Sequence, residues 1–562
     1  MNILGIGGYS HDSAAVLVCD GTLVAGVAEE RLTRKKHQGG VPRSAVAYCL
    51  AEAGLTEDDI DHIGCYMRPG MRLARRLPYR LRQMFRSPIY SAGYMAYEVL
   101  HNAQYAWGMR SLCGRKAKLH FMEHHPAHAA SAFLVSPFDE AALLTVDYIG
   151  EWHVTWTGMG RGTTIKRLYS EHYPNSLGVF YSAITDYLGF LRASDEYKVM
   201  GLAAYGEPEY LDEFRRIVGV ASDGRYRIDL SWLACHHVPG SRCGYFSKKF
   251  LDRFGPPRAK GEPVEGRHRN IAASAQHVLE EALLHLTARL HEATGSKCLC
   301  MAGGVALNSA ANGRLLRECP FDEIYVQPAA GDDGIALGAA YQLHHALTGA
   351  PRSFVMEDAC IGPAHSNDDI RRFLDLAKIP YEQPSDLVAR AAGLLADGNI
   401  VGWYQGRMEF GPRALGARSI LADPTRPDMK DLINAYVKHR EEFRPFAPSV
   451  LEERAHEYFE GCGRSPFMLF VYPVKPDKHE RVPAITHVDG TARVQTVSKA
   501  VNPLYYRLIE AFERLRGVPL VLNTSFNVMG EPIVNTPADA VRCFYSTGMD
   551  ALVIGDFVVT KR

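Results

Sequence analysis

His124 and His128 stand four residues apart in the run His124-His125-Pro126-Ala127-His128. On a helix this spacing puts both imidazoles on one face, where they can share a single cation. Pro126 fits a helix only in its first turn, so the pair belongs at a helix N-terminus. Two imidazoles need carboxylates to complete a site for iron, manganese or zinc. Asp147, at the end of an apolar strand, and Asp332, in the turn Gly331-Asp332-Asp333-Gly334, are of the right type. Histidines that only cap a helix are the alternative, and local spacing does not decide between the two.

Phosphate chemistry has its own candidates. Gly303-Gly304 lie between an apolar strand and a helix expected over Ser309–Arg317, with Asn308 in the turn. Glycines there let backbone N–H groups approach a phosphate, although such turns also use glycine for purely structural reasons. The turn at Gly331–Gly334 repeats the device before a small-residue helix at Ile335–Gln342. Further on, Arg413, Arg418, Lys438, Arg440 and Arg444 sit beside rigid Gly and Pro turns rather than along a polar helix stripe. That placement favours a pocket for phosphate or carboxylate over a charged surface. The segment Leu522-Asn523-Thr524-Ser525-Phe526-Asn527 follows an apolar strand at Pro519–Leu522 and offers hydroxyls and amides to phosphates or a small amide.

These groups need rigid elements behind them. Asn2–Gly7 and Ala14–Cys19 are short apolar runs, and Asp20-Gly21 is a tight-turn pair before a third strand at Leu23–Ala28. The pattern recurs as strand Ala141–Val146, turn Asp147–Glu151, strand Val154–Met159 and turn Arg161-Gly162. Two such hairpins, without a close sequence repeat, predict a duplicated α/β architecture. Periodicity predicts helices over Ala127–Leu134 and Ile271–Ala293, the second closed by Gly295, and then a strand over Lys297–Ala302. Thr348–Phe354 reads as a linker. Beyond it, helices at Asp368–Ala377 and Leu387–Ala396 and a strand at Ile400–Tyr404 open a second α/β pattern. Two domains, 1–352 and 353–562, are therefore expected.

Composition narrows the function classes. With 47% hydrophobic and 22% charged residues over 562 positions, the chain can bury sizeable cores and is not disordered. Lys+Arg and Asp+Glu are both 63, so there is no electrostatic footprint of a dedicated nucleic-acid binder, while a local anion pocket remains compatible. The 12 cysteines form no C-x-x-C and read as reduced thiols of a cytoplasmic protein. The stretch from Cys235 to Cys243 fits no common zinc spacing and reads as a loop. No apolar run reaches the ~20 residues of a membrane span, and the N-terminus lacks the basic start of a secretory leader. Arg68, Arg72, Arg75, Arg76, Arg80, Arg82 and Arg86 crowd the Tyr- and Pro-containing segment 66–118. Its first reading is a solvated basic helix face, and its second is a lid or substrate-entry insertion.

The stretches GYSHDSAAVLV, EERLTRKKH, HHPAHAASAF, EYKVMGLAAYG, AGGVALN, GDDGIALGAA, GPRALGARSI, FRPFAPSV, VQTV and LNTSFNVMGEPIV run through nearly the whole chain. In their order and spacing the sequence resembles the NodU/CmcH/TobZ-type O-carbamoyltransferases. It departs from that pattern at Tyr148-Ile149, where a Gly-rich turn is usual. The resemblance implies an actin/hexokinase-like (ASKHA) N-terminal domain and a YrdC-like α/β C-terminal domain. It implies that carbamoyl phosphate and ATP become carbamoyl adenylate in the second domain, and that the carbamoyl group passes to an alcohol in the first. Carried over residue by residue, His124, His128, Asp147 and Asp332 match the metal ligands, with iron the expected ion and another divalent metal the alternative. His11 and Lys36 match residues at the transferring carbamoyl group. Gly303, Gly304 and Asn308 match the adenylate turn, and Arg413, Lys438, Arg444, Arg493, Asn523 and Ser525 match the carbamoyl phosphate and ATP site. Magnesium is expected with ATP. The expected partner is a small-molecule hydroxyl acceptor, an antibiotic sugar or polyketide, with no nucleic acid and no membrane, and with a homodimer left open. An ASKHA-type kinase, a tRNA threonylcarbamoyl-transfer-like protein and an actin-like ATP-driven assembly module are the rival readings.

Overall fold

In a computed structural model the chain is described over residues 1–85, 88–112, 114, 116–221, 223–234 and 245–561. Cys235–Cys243 and Arg86 lie outside the described residues. The chain forms two compact units: residues 1–25 with 37–355, and residues 26–36 with 356–562. Among the described residues no helix is long and apolar enough to cross a membrane.

The first unit repeats one topology. β1 (Asn2–Gly7), β2 (Ala14–Cys19) and β3 (Thr22–Ala28) form a meander, and β4 (His62–Tyr66) pairs parallel to β1. The helices α1 (Pro69–Gln83) and α2 (Pro88–Arg110) then intervene before β5 (Lys118–Met122), which pairs parallel to β4. After α3 (His124–Phe133) the scheme recurs with β6 (Glu140–Val146), β7 (His153–Arg161) and β8 (Thr164–His172). The long helix α4 (Gly266–Thr294) leads to β9 (Cys298–Ala302), α5 (Ser309–Glu318) leads to β10 (Glu323–Val326), and α6 (Ile335–Thr348) closes the unit. The sheets run β3-β2-β1-β4-β5 and β8-β7-β6-β9-β10, the same order and strand directions twice. This is the duplicated α/β architecture that the paired hairpins predict.

The inner strands β1, β2 and β6 are apolar and buried almost throughout, as expected for sheets covered on both faces. Helix α6 fills the space between β1 and α3, and it gets close enough only because small residues line the contact. A Cβ on Gly5 would lie 1.9 Å from the Ala336 carbonyl oxygen, and one on Gly338 would lie 1.9 Å from that of Ala127. This packing draws Asp332, just before α6, toward the first turn of α3.

Two helices run at least five residues beyond the spans that the sequence pattern predicts. α4 begins five residues early because Glu265 and His268 form a capping box, and α6 continues to the left-handed cap at Gly349.

The basic segment corrects the first reading above. Arg72, Arg76 and Arg80 are buried rather than solvated. Arg72 Nε and Arg76 Nη1 donate to Glu98 of α2 at 2.6 and 2.8 Å, and the Arg80 guanidinium stacks over Tyr94 at 4.0 Å. Arg75 and Arg82 stay exposed as that reading has them, and Phe85, Ile89 and Trp107 are outward beside them. Burial raises the Glu98 carboxyl, but Arg76 and Arg72 outweigh it and hold it down to about 2. A depressed carboxylate stabilises the fold above its unfolded value and loses that contribution as pH falls toward its folded one. Glu98 should therefore contribute on the order of 3 kcal/mol at neutral pH, lost between about pH 4.5 and pH 2. Acid unfolding of Glu98→Gln beside the parent checks this, the expected result being a flatter pH dependence in that window.

The second unit is a mixed α/β sheet. Helix α7 (Leu387–Ala396) precedes β11 (Val401–Tyr404), β12 (Arg418–Ala422), β13 (Ala447–Leu451) and β14 (Gln495–Val497). Helix α8 (Pro503–Arg516) leads to β15 (Leu520–Ser525), β16 (Ala551–Ile554) and β17 (Phe557–Thr560). The order is β14-β13-β15-β12-β11-β16-β17, with α7 and α8 packed on each other.

Candidate active site

In the first unit, three segments bring four ligand-type side chains to one point. His124 and His128 lie on the first turns of α3, Asp147 follows β6, and Asp332 precedes α6. All four are buried, and their ligand atoms lie within 4.8 Å of one another. His124 Nε2 is 2.8 Å from Asp147 Oδ2 and 3.7 Å from Asp332 Oδ1, and His128 Nε2 is 3.5 and 3.6 Å from the same two oxygens. The other Asp147 oxygen accepts the Gly304 N–H at 3.0 Å, which fixes the carboxylate's orientation. Burial pulls the His128 imidazole down, but the nearby carboxylates of Asp147 and Asp332 prevail and push it up to about 9. Burial raises the Asp147 carboxyl, yet His124 and His128 bring it well below its usual range.

This donor set fits a divalent cation. Both ring nitrogens of His128 are buried without a hydrogen-bond partner. Buried polar atoms are normally satisfied, so such a group points to an ion or water. Two imidazoles and two carboxylates suit iron, manganese or zinc. The Tyr148-Ile149 departure leaves the turn intact: the Asp147 N–H donates to Val154 O at 3.0 Å and the Gly150 N–H to His153 O at 2.9 Å.

His11 sits in the turn after β1 with its side chain 44% exposed, enough to reach a ligand. Its Nδ1 lies 3.0 Å from Asp12 Oδ2. The other Asp12 oxygen lies 2.8 Å from His37 Nδ1, and His37 Nε2 lies 2.8 Å from Ser194 Oγ. The chain His11–Asp12–His37–Ser194 has a consistent proton assignment if both histidines donate from Nδ1 to Asp12 and Ser194 donates to His37. Burial pulls the His11 imidazole down, but Asp12 and then Asp332 outweigh it and push it up to about 10. Sequence reasoning missed Asp12, His37 and Ser194, although Asp12 adjoins His11. Lys36 lies in an exposed turn on the stretch that belongs to the second unit.

Gly303 takes φ +92°, and a Cβ there would stand 2.3 Å from the Val146 carbonyl oxygen. Asn308 is occupied locally: its Oδ1 caps α5 through the Ala311 N–H at 3.0 Å, and its amide pairs with Gln276.

The second unit gathers cations. Lys438 ends a π-helical turn, 433–438, a feature frequent at functional sites, and His439 follows at φ +47°. Its ammonium donates to Asn527 O and Oδ1 at 3.0 Å each, and to the Ser525 carbonyl and hydroxyl. Burial, then the neighbouring Arg440 and Arg444, pull Lys438 well below its usual range. Burial, then Arg413, Arg440 and Arg444, do the same to Arg493. Arg444 is faced by Glu441 at 3.7 Å. On β15, Asn523 donates from Nδ2 to Ser449 Oγ at 2.9 Å and to Gln495 Oε1 at 3.1 Å. Asn523 Oδ1 and Arg493 Nε are buried and lack hydrogen-bond partners, an acceptor and a donor that suit an amide and a phosphate.

Arg418 is different. It is fully buried, lies 3.7 Å from the centre of the Tyr404 ring and donates to the carbonyls of Gln405, Pro363 and Gly406, so it holds the fold rather than an anion. Glu409, which sequence reasoning missed, accepts the N–H groups of Leu415, Ala417 and Arg418 at 2.7, 2.7 and 3.1 Å and shapes the loop that carries Arg413. Arg31 and Arg34 act in the same unit, on the carbonyls of Gly411 and Ile533 at 2.8 and 2.6 Å.

Two family models match the chain. One, described as Carbamoyltransferase N-terminus, covers residues 2–341, and the other, Carbamoyltransferase C-terminus, covers residues 392–561. An uncharacterised protein of Synechocystis is 44% identical over 598 aligned positions, covering 100% of this chain and 97% of that one. Nodulation protein NolNO of Sinorhizobium fredii is 42% identical, covering 99% of this chain and 79% of its own length. Nodulation protein U of the same organism is 30% identical, covering 97% of this chain and 96% of its own.

Proposed function

The chain belongs to the carbamoyltransferase family, and on that premise we propose that it makes carbamoyl adenylate from carbamoyl phosphate and ATP and passes the carbamoyl group to a hydroxyl of a small natural product. The observation that carries this reading is the pair of unsatisfied buried atoms in the second unit, Asn523 Oδ1 and Arg493 Nε, beside a buried lysine and further arginines. Such a cluster of like charges is costly until an anion enters, and carbamoyl phosphate is an anion with an amide at its other end.

In the proposed first half-reaction, Arg413, Lys438, Arg444 and Arg493 neutralise the phosphates while Asn523 accepts a hydrogen bond from the carbamoyl NH₂ and Ser525 assists at the phosphate. Water replaces the phosphate of carbamoyl phosphate, releasing inorganic phosphate and carbamate. A carbamate oxygen then bonds to the α-phosphorus of ATP as the bond to pyrophosphate breaks. Preorganised cations serve by stabilising charge that builds up in this displacement.

In the proposed second half-reaction, the Gly303-Gly304 turn and its neighbour Asn308 border the adenylate. His11 takes the proton of the acceptor hydroxyl at Nε2, with Asp12 holding Nδ1–H, and Lys36 balances the developing oxyanion. The acceptor oxygen bonds to the carbamoyl carbon and AMP leaves with the bond it shared. His124, His128, Asp147 and Asp332 would hold a divalent metal, iron being the proposed ion, which when bound supplies positive charge to the adenylate's phosphate. Excluding water protects so hydrolysable an intermediate. The proposed setting is the cytoplasm, and the proposed acceptor class is an antibiotic sugar or a polyketide.

The nucleotide product tests this reading against a kinase of the same architecture. The expected result is carbamoyl phosphate-dependent exchange of pyrophosphate into ATP, and AMP on adding acceptor. ADP formed without any need for carbamoyl phosphate would overturn it.

A further inference from the structure

The basic hairpin α1–α2 is the largest feature that the proposed chemistry leaves without a role, and its buried arginines lead to the metal-type cluster. Arg76 of α1 donates through Nε to the Glu151 carbonyl at 2.7 Å and through Nη2 to the Gly150 carbonyl at 2.5 Å. Its remaining nitrogen, Nη1, donates to Glu98 of α2 at 2.8 Å. These carbonyls end the 147–151 turn, whose first residue is Asp147. The Glu151 side chain reaches the other half of the cluster. It accepts the His124 N–H at 3.2 and 3.1 Å and the Arg68 N–H at 2.8 Å, so one buried carboxylate caps α3 at the residue that carries a ligand and ties it to the chain entering α1. Gly150 is wedged in the same place, since a Cβ there would meet the rings of His124 and His125 at 3.1 Å.

We propose that Arg76 and Glu151 are positioning residues for the metal centre: the hairpin clamps the Asp147 turn and the His124 helix end into one geometry, and so sets how tightly and in what coordination a divalent cation is held. Three observations support this independently of titration. Among the described residues the guanidinium's hydrogen bonds go to one carboxylate and the turn's two carbonyls, with only the Tyr94 hydroxyl besides, at 3.4 Å. Arg76, Glu98 and Glu151 are all buried, so the contacts are not screened by solvent. Glu98 is also held by Arg72 at 2.6 Å, so the hairpin keeps its own ion pair when Arg76 is removed. Partners behind metal ligands fix ligand orientation and typically tune affinity by about 10–100-fold. The inference rests on the metal reading of the four-residue cluster.

The test uses the full chain, stripped of metal and titrated with Co²⁺ alone. Co²⁺ absorption reports coordination geometry as well as affinity, so activity is not needed. Arg76→Met retains the Arg72–Glu98 pair and the hairpin's volume. The expected result is a Co²⁺ dissociation constant raised about 10–100-fold with altered visible bands, at unchanged circular dichroism and unchanged carbamoyl phosphate-dependent pyrophosphate exchange. Glu151→Gln decides the matter if Arg76→Met does not fold, and the same weakening is expected there. Parent-like affinity and bands in the folded variant overturn the clamp. His124→Ala separates the two claims: if it too binds Co²⁺ like the parent, the metal reading falls, whereas loss of binding in His124→Ala with none in Arg76→Met refutes the clamp alone.

Discussion

Arg493→Gln is expected to lower carbamoyl phosphate-dependent ATP–pyrophosphate exchange on the order of 10³-fold, the scale of losing one preorganised charge at a phosphoryl centre. The reason lies in its surroundings. Arg493 is half-buried beside Arg413, Arg440 and Arg444, and its buried Nε has no hydrogen-bond partner. The Nε of Arg418 is also buried without a partner, but its Nη1 and Nη2 donate to backbone carbonyls, so what sets Arg493 apart is the crowd of like charges around it. The two roles make opposite stability predictions. Removing a structural arginine destabilises, whereas removing Arg493 relieves repulsion and desolvation, so Arg493→Gln should unfold at the same temperature as the parent or higher. Metal content should stay at the parental level, and so should transfer from carbamoyl adenylate supplied ready-made. A lower unfolding temperature together with full exchange activity would sink the assignment.

How far the sequence reaches is clearest at the four-residue cluster. His124 and His128 carry their own geometry, because helical spacing places both on one face. Asp147 and Asp332 were legible only as types, since bringing them to the histidines requires β6 to lie in the second sheet and α6 to pack on α3 through Gly338. The recurring hairpins revealed a duplicated architecture, but identical strand order is a matter of pairing between strands far apart in the chain. The basic segment misled because a run of arginines carries no record of its partner. Glu98, 22 residues from Arg76, looks like any surface acid until the hairpin closes. Arg418 misled in the opposite direction: it sits among the motif cations, yet an aromatic ring and backbone carbonyls surround it. Asp12 was overlooked beside His11 because a carboxylate next to a histidine in sequence seldom faces it, and only its left-handed backbone, φ +52°, turns it toward both rings.

That geometry makes the second large effect separable into two variants. His11→Ala should keep pyrophosphate exchange at the parental rate and lose product formation by about 10²–10⁴-fold, the usual range for a general base. Loss of exchange in this variant would refute the role, because adenylate formation is assigned to residues of the second unit. Asp12→Asn addresses how the base works. In the folded protein Asp12 favours the protonated imidazole, helping push His11 up to about 10. A base must be deprotonated to act, so transfer should rise with pH as His11 loses its proton. Replacing the carboxylate by an amide removes part of what favours the charged ring, and the half-maximal pH of transfer should move down. At the same time the amide no longer supports the imidazolium that forms in the reaction, so the plateau rate should fall even though more of the enzyme is in the basic form. A lower plateau with an unmoved half-maximal pH would mean that Asp12 only shapes the turn. A downward shift with a lower plateau, at unchanged circular dichroism and unfolding temperature, is the result expected if the carboxylate acts on the His11 proton.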